Sequence, residues 1–236
     1  RSKPPEFLLT HPLTDSRISD SANRARQYPR QVYTDNQNFQ LMRMRATLQH
    51  SKNVEGLLTT WQNGSGINGE ARRYGVVLAL TALNRWQEAD EQLAPLLKDD
   101  GQRIAYQLAK AEILQGQKRY SDAIELLQSR LAVAPNNYPY TMKLAEILQL
   151  DNRFEEADQI LSVQSRQRPE DPNIWYQLAE VRGLAGNILG VHIARAEYFI
   201  LQAQFERAKM QLRYAYKLTA IDKIQQARIK QRLRDI

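Results

Sequence analysis

The sequence predicts an all-α fold, a solenoid of about twelve antiparallel helices preceded by a short extended loop segment, and three observations carry that expectation. Ala89, Ala123 and Ala157 stand 34 residues apart. Each lies three residues after an aromatic (Trp86, Tyr120, Phe154) and four before a leucine (Leu93, Leu127, Leu161). Pro135 and Pro169, again 34 apart, fall where the second helix of a unit should end.

Each recurring type has a physical reason in a helix–turn–helix unit. Alanine is small where two helices approach most closely, the aromatic fills the gap between units, and the leucine sits one turn further along the same face. A 34-residue period is the spacing of tetratricopeptide repeats. From the N-terminus, Lys3-Pro4-Pro5-Glu6 reads as a rigid extended lead and Phe7-Leu8-Leu9 as a short apolar plug. Thr10 to Ile18 then precedes a helix that Ser19 or Asp20 would cap. A helix over 39–50 follows, with His50 at its C-terminus, where a cation is favourable.

In the first helices of the units, Tyr74-Gly75 and Leu108-Ala109 stand two residues further from Trp86 and Tyr120 than Leu144-Ala145 does from Phe154. That offset predicts two longer inter-helix turns. Trp175-x2-Leu178-Ala179 opens a further unit, after which the phase slips. Phe205, Ala208 and Leu212 recur 51 residues after Phe154, Ala157 and Leu161, which is one and a half periods. A stack absorbs a half period by adding one helix, so helices are expected over 173–185, 190–203, 205–218 and 222–234, the last a polar cap. The expected division is a leading segment over 1–35 and a repeat domain over 36–236. A chain that opens on Arg1 rather than methionine reads as a processed or excised piece.

Composition excludes several classes. The chain has no cysteine, hence no disulfide framework, thiolate zinc site or cysteine nucleophile. The longest uncharged apolar stretch, Val76 to Leu83, is too short to cross a bilayer. The three histidines, His11, His50 and His192, form no His-Glu-x-x-His motif and no i, i+4 pair, so no catalytic site and no cofactor is expected in this chain. The net charge of +7 is concentrated at the ends: residues 1–52 hold nine Lys/Arg against four Asp/Glu, 53–206 hold fifteen against twenty, and 207–236 hold nine against two. The terminal basic helix (Arg228, Lys230, Arg232, Arg234) suits either a solvated cap or contact with nucleic acid or an anionic membrane surface. No nucleic-acid-binding module is recognisable.

In such a stack the first helix of each unit lines a concave groove, which makes protein binding the expected function. The inward positions read as Arg103, Tyr106 and Lys110, then Met142 and Glu146, then Tyr176 and Glu180. The tyrosines read equally as interface anchors or as inter-helix packing. The lysine/asparagine pairs that clamp a C-terminal carboxylate in some such domains are absent from these positions. On the repeats alone, a free-standing scaffold with no enzyme attached fits as well.

The run from Pro5 to Asp20, Pro5-Glu6-Phe7-Leu8-Leu9-Thr10-His11-Pro12-Leu13-Thr14-Asp15-Ser16-Arg17-Ile18-Ser19-Asp20, followed by Asn23-Arg24-Ala25, resembles the end of the peptidase domain in the BepA (YfgC) family. Those are periplasmic zinc metallopeptidases of Gram-negative bacteria with a C-terminal repeat domain. The resemblance implies that this chain is the C-terminal part of such a protein, with the zinc-binding helix upstream of it. It implies that His11 matches a loop histidine able to occupy the metal's open position as a plug, and that Arg17 steadies this loop. It also implies partners: stalled or unfolded outer-membrane β-barrels, an LptD-like barrel among them, and components of the barrel-assembly (BAM) machinery.

Overall fold

A computed structural model describes residues 14–28, 36–64, 68–219 and 222–236. The chain divides into two units, Arg1–Gln37 and Asn38–Ile236. The first contains helix α1 (Thr14–Arg26). It begins at Thr14, ahead of the Ser19 or Asp20 cap that was expected. The extended lead, the apolar plug and His11 lie outside the described residues, as does the side chain of Arg17.

Twelve helices follow: α2 (Gln37–Gln49), α3 (Val54–Asn63), α4 (Gly69–Ala82), α5 (Trp86–Asp99), α6 (Ile104–Gly116), α7 (Tyr120–Val133), α8 (Tyr138–Leu150), α9 (Phe154–Gln167), α10 (Pro172–Leu184), α11 (Ile188–Leu201), α12 (Phe205–Leu218) and α13 (Lys223–Arg234). Each packs on its neighbours in chain order, from α3 on α4 through to α12 on α13. The three periodic alanines and their leucines are completely buried. α7 and α9 stop two residues before Pro135 and Pro169.

The expected longer turns are not there. The turns after α4, α6, α8 and α10 all hold three residues, and all close in the same way. The middle residue has positive φ (Asn84 59°, Lys118 60°, Asn152 59°, Gly186 74°). The next amide donates back five residues, as from Arg85 to the Leu80 carbonyl (2.9 Å) and from Arg153 to the Leu148 carbonyl (2.8 Å). This is the Schellman closure, which satisfies carbonyls that a helix end would otherwise leave open.

With the turns equal, the small position of the first helices is Val77, Ala111, Ala145 and Ala179, strictly 34 apart and buried throughout. Matching Leu108-Ala109 to Leu144-Ala145 was therefore two residues out of register, and that error had appeared as extra turn length. A second periodic device starts each following helix. Arg85, Arg119 and Arg153 pair with Glu88, Asp122 and Glu156 three residues on, at 2.5 to 2.6 Å.

The half period is absorbed by α11. Val191 stands 34 residues after Ala157, the small position of a second helix, while Ala196 stands 17 after Ala179, the small position of a first helix. Both are buried. α11 thus serves as second helix to α10 and as first helix to α12, and the α11–α12 turn repeats the Schellman closure with Ala203 at φ 55°. Three buried clusters result, one over α2–α6, one over α6–α11, and a small one of Ala196, Leu212, Ala215 and Ile229.

Candidate functional site

The first helices α2, α4, α6 and α8 line a cleft of about 660 Å³, and the N-terminal ends of α2 and α6 with Pro139 line an adjoining one of about 710 Å³. Arg45 stands in the wall between them. Its guanidinium holds Glu112 with two hydrogen bonds (2.9 and 3.1 Å) and donates through Nε to the Tyr74 hydroxyl (2.7 Å). One cation thus ties α2 to α4 and α6. A bidentate pair of this kind is stronger and more directional than a single-point contact. Burial works against the Arg45 charge, but Tyr74 and Glu112 outweigh it and hold the group above its ordinary value. Burial pushes the Tyr74 hydroxyl up to about 12, with Glu112 adding to the rise and Arg45 opposing it.

The corrected register revises the groove. Stepping back 34 residues from Met142 and Glu146 leads to Leu108 and Glu112, so these, not Tyr106 and Lys110, are their counterparts on α6. Tyr106 is 0% exposed: its ring packs 5.6 Å from that of Tyr74, and its hydroxyl donates to Glu70. It is inter-helix packing, not an exposed anchor. Lys110 reaches back to Asp90 on α5 at 2.6 Å.

Arg103 lines the second cleft, ion-paired to Asp100 at 2.8 Å and bonded to Asn38 at 3.1 Å. Met142 is half-buried, and Glu146 is held by Lys143 (2.7 Å) and Gln115 (2.9 Å). Tyr176 is 54% exposed and tilts against Tyr198 with ring centroids 5.8 Å apart. Glu180, one turn further along α10, is exposed and has no ion pair among the described residues.

Glu112, Glu146 and Glu180 therefore form a column 34 residues apart whose charge is neutralised by Arg45 at one end and open at the other. Sequence reasoning missed Arg45, Tyr74, Leu108 and Glu112. The 34-residue step from Glu146 would have found Glu112 and Leu108. Nothing local marks Arg45, whose role depends on a contact 67 residues away. Among the described residues no group of three or more His, Asp or Glu side chains is placed to hold a metal.

Antiparallel helix pairs in a 34-residue register, with a groove lined by first helices, define a tetratricopeptide-repeat solenoid, and residues 114–181 match the tetratricopeptide repeat family. Solved structures agree in fold: a Pseudomonas aeruginosa pilF structure (TM-score 0.54, 16% identity, covering 84% of this chain and 90% of that one) and a tetratricopeptide repeat protein from Parabacteroides merdae (TM-score 0.51, 12% identity, 82% of each).

Likeness by sequence goes further than the repeats. Over 236 residues, 98% of this chain, it is 29% identical to the beta-barrel assembly-enhancing protease of Escherichia coli, covering 48% of that protein. The Yersinia pestis protein of the same name is 29% identical with 49% covered, and a putative one from Vibrio cholerae is 30% identical with 49% covered. The resemblance carried by Pro5 to Ala25 thus extends along nearly the whole chain. The chain spans about half the length of these curated relatives.

Proposed function

We propose that this chain is the protein-recognition part of a larger zinc metallopeptidase and chaperone of the Gram-negative periplasm, one that acts on outer-membrane β-barrel proteins together with the barrel-assembly machinery. The observation that carries the reading is the alignment: nearly all of this chain matches beta-barrel assembly-enhancing proteases, while about half of each of those proteins lies outside it. The open end of the groove supports it, since the exposed Tyr176, packed against the half-buried Tyr198 and beside a glutamate with no ion pair among the described residues, suits an aromatic or cationic side chain of an incoming segment. No helix among the described residues is long and apolar enough to cross a membrane. Among the described residues no group of three or more His, Asp or Glu side chains is placed to hold a metal, and zinc chemistry belongs in this reading to the part of the parent protein beyond this chain.

A photo-crosslinking side chain placed at position 176 of the full-length parent in Gram-negative cells is expected to capture a stalled barrel, an LptD-like one included, or an assembly-machinery subunit, while the buried position 106 captures neither. Absence of such products from position 176 and from positions 108, 142 and 180 would overturn the reading. His11 is proposed as a restraint on the parent enzyme, with Arg17 supporting its loop. His11→Ala in the full-length protein is then expected to raise degradation of a misassembled barrel. A fall in degradation with zinc still bound would refute the restraint.

A further inference from the structure

The C-terminal end of the stack carries a second groove that shares no lining residue with the α2–α8 clefts. On α12, Met210, Arg213, Tyr214 and Lys217 fall at i, i+3, i+4 and i+7, a single helical face. α13 brings Lys230 and Leu233 opposite them, and together with Tyr216 they enclose about 450 Å³. Met210 is 43% and Tyr214 44% exposed, a large apolar surface for one short stretch of helix. Tyr214 is also braced. His192 of α11 lies 5.3 Å from its ring, and the His192 Nδ1 is 2.7 Å from the Gln211 Oε1, so one side of the tyrosine is packed while the other faces the groove. Rigid, half-covered aromatics of this kind make low-entropy anchors.

The charge is one-sided. Arg213, Lys217 and Lys230 line the groove, and none has a carboxylate within ion-pairing distance among the described residues, although neighbouring cations do: Lys209 with Glu206 (3.3 Å) and Arg232 with Glu197 (2.6 Å). Three unneutralised cations around an apolar floor repel one another and attract counter-charge. A flat bilayer cannot reach a floor recessed between two helices. An amphipathic segment can, laying apolar residues on Met210, Tyr214 and Leu233 while its carboxylates meet the cations at the rim.

We infer that the α12–α13 groove docks an acidic, leucine-bearing segment of another protein. This site does not depend on the function proposed above and stands if the barrel-related reading fails. The test uses the whole chain, labelled with nitrogen-15, titrated with a peptide of about twelve residues, roughly three helical turns, with leucines at i and i+4 and glutamates between. Amide shifts are expected at 210–217 and 229–234, with affinity falling as salt is raised. The doubly exposed reversal Lys217→Glu with Lys230→Glu is expected to weaken binding by about tenfold or more at unchanged helicity. Tyr214→Ala is expected to weaken it without removing the salt dependence. A peptide with lysine in place of glutamate is expected not to bind. The proposal is overturned if the glutamate peptide leaves the spectrum unchanged, if its shifts map elsewhere, or if charge reversal leaves affinity intact. It is equally overturned if phosphatidylglycerol vesicles or a DNA duplex bind as tightly with the same dependence on Lys217 and Lys230, since the face would then be a general anion surface.

Discussion

Among the described residues, four large apolar side chains are exposed between Gly69 and Gln167 (Ile104, Val133, Leu150 and Val163), whereas between Tyr176 and Ile224 there are nine, from Tyr176 and Leu184 through Met210 and Tyr214 to Ile224. The difference follows from the packing. In the strictly periodic stretch every helix is covered by a unit on each side, and its side chains enter one of two large clusters. Past α10 the register is shared by a single helix, the third cluster has four fully buried members, and much of the apolar surface is left facing outward. Regular repeats bury their apolar side chains, and the departure from the repeat leaves more of them exposed.

The largest test of that contrast sets Tyr106 against Tyr176. Tyr106→Ala is expected to lose about 3–5 kcal/mol, as for other fully buried aromatics, in urea unfolding followed by circular dichroism. Tyr176→Ala is expected to stay within about 1 kcal/mol while reducing partner capture. Equal losses at the two sites would erase the distinction between packing and surface.

Alkaline pH probes the periodic half through Tyr74. The folded state holds the Tyr74 proton up to about 12, whereas the unfolded chain releases it near the ordinary tyrosine value, about 10. Over that window the unfolded state binds fewer protons, so stability falls as pH rises, by about 2–3 kcal/mol in full, and is unaffected by this group below pH 10. Denaturant midpoints measured from pH 9 to pH 12 should show the decline, and Tyr74→Phe should reduce it to the part left by Tyr138 and Tyr140, whose hydroxyls burial also raises.

The tie between α2 and α6 sits next in size. Glu112→Gln is expected to cost about 1–2 kcal/mol, since it leaves Arg45 half-buried without its counter-charge, whereas Arg45→Met combined with Glu112→Leu is expected to recover most of that loss. A double-mutant cycle by urea unfolding measures the coupling.

The smallest effect is at the turns. Lys118 and Ala203 hold left-handed backbone without being glycine. Substituting glycine there should stabilise the chain by about 0.5 kcal/mol, the relief of strain being partly offset by the flexibility glycine adds to the unfolded state. A rise in Tm is the readout.

What could be read from the residues beforehand is uneven for definite reasons. The helix number and the added helix, expected over 190–203 and observed as Ile188–Leu201, follow from patterns that repeat in register, and α12 spans Phe205–Leu218 as expected. Of the inward positions, Met142 and Glu146 stand one 34-residue step before Tyr176 and Glu180, but anchoring α6 on Leu108-Ala109 moved its inward positions by two residues. Two residues of helix is a rotation of about 200°, enough to exchange the groove face for the buried face, which is why Tyr106 read equally as a groove anchor or as packing and proves to be packing. Arg45 was not legible at all, because its importance comes from where α2 ends up beside α6 and not from any local spacing.

The closure at Asn84, Lys118, Asn152 and Gly186, repeated at Ala203, carries a further consequence for how such chains lengthen. Ala203 follows Gly186 by 17 residues, half the repeat, so one helix plus one turn is a complete module in its own right. In an antiparallel stack an odd module moves the tight three-residue corner to the opposite rim, and the four-residue connection before α13 moves with it. The parity of the helix count, rather than the number of repeats, thus decides which rim of the solenoid the chain leaves from and which rim stays free for insertion of a loop.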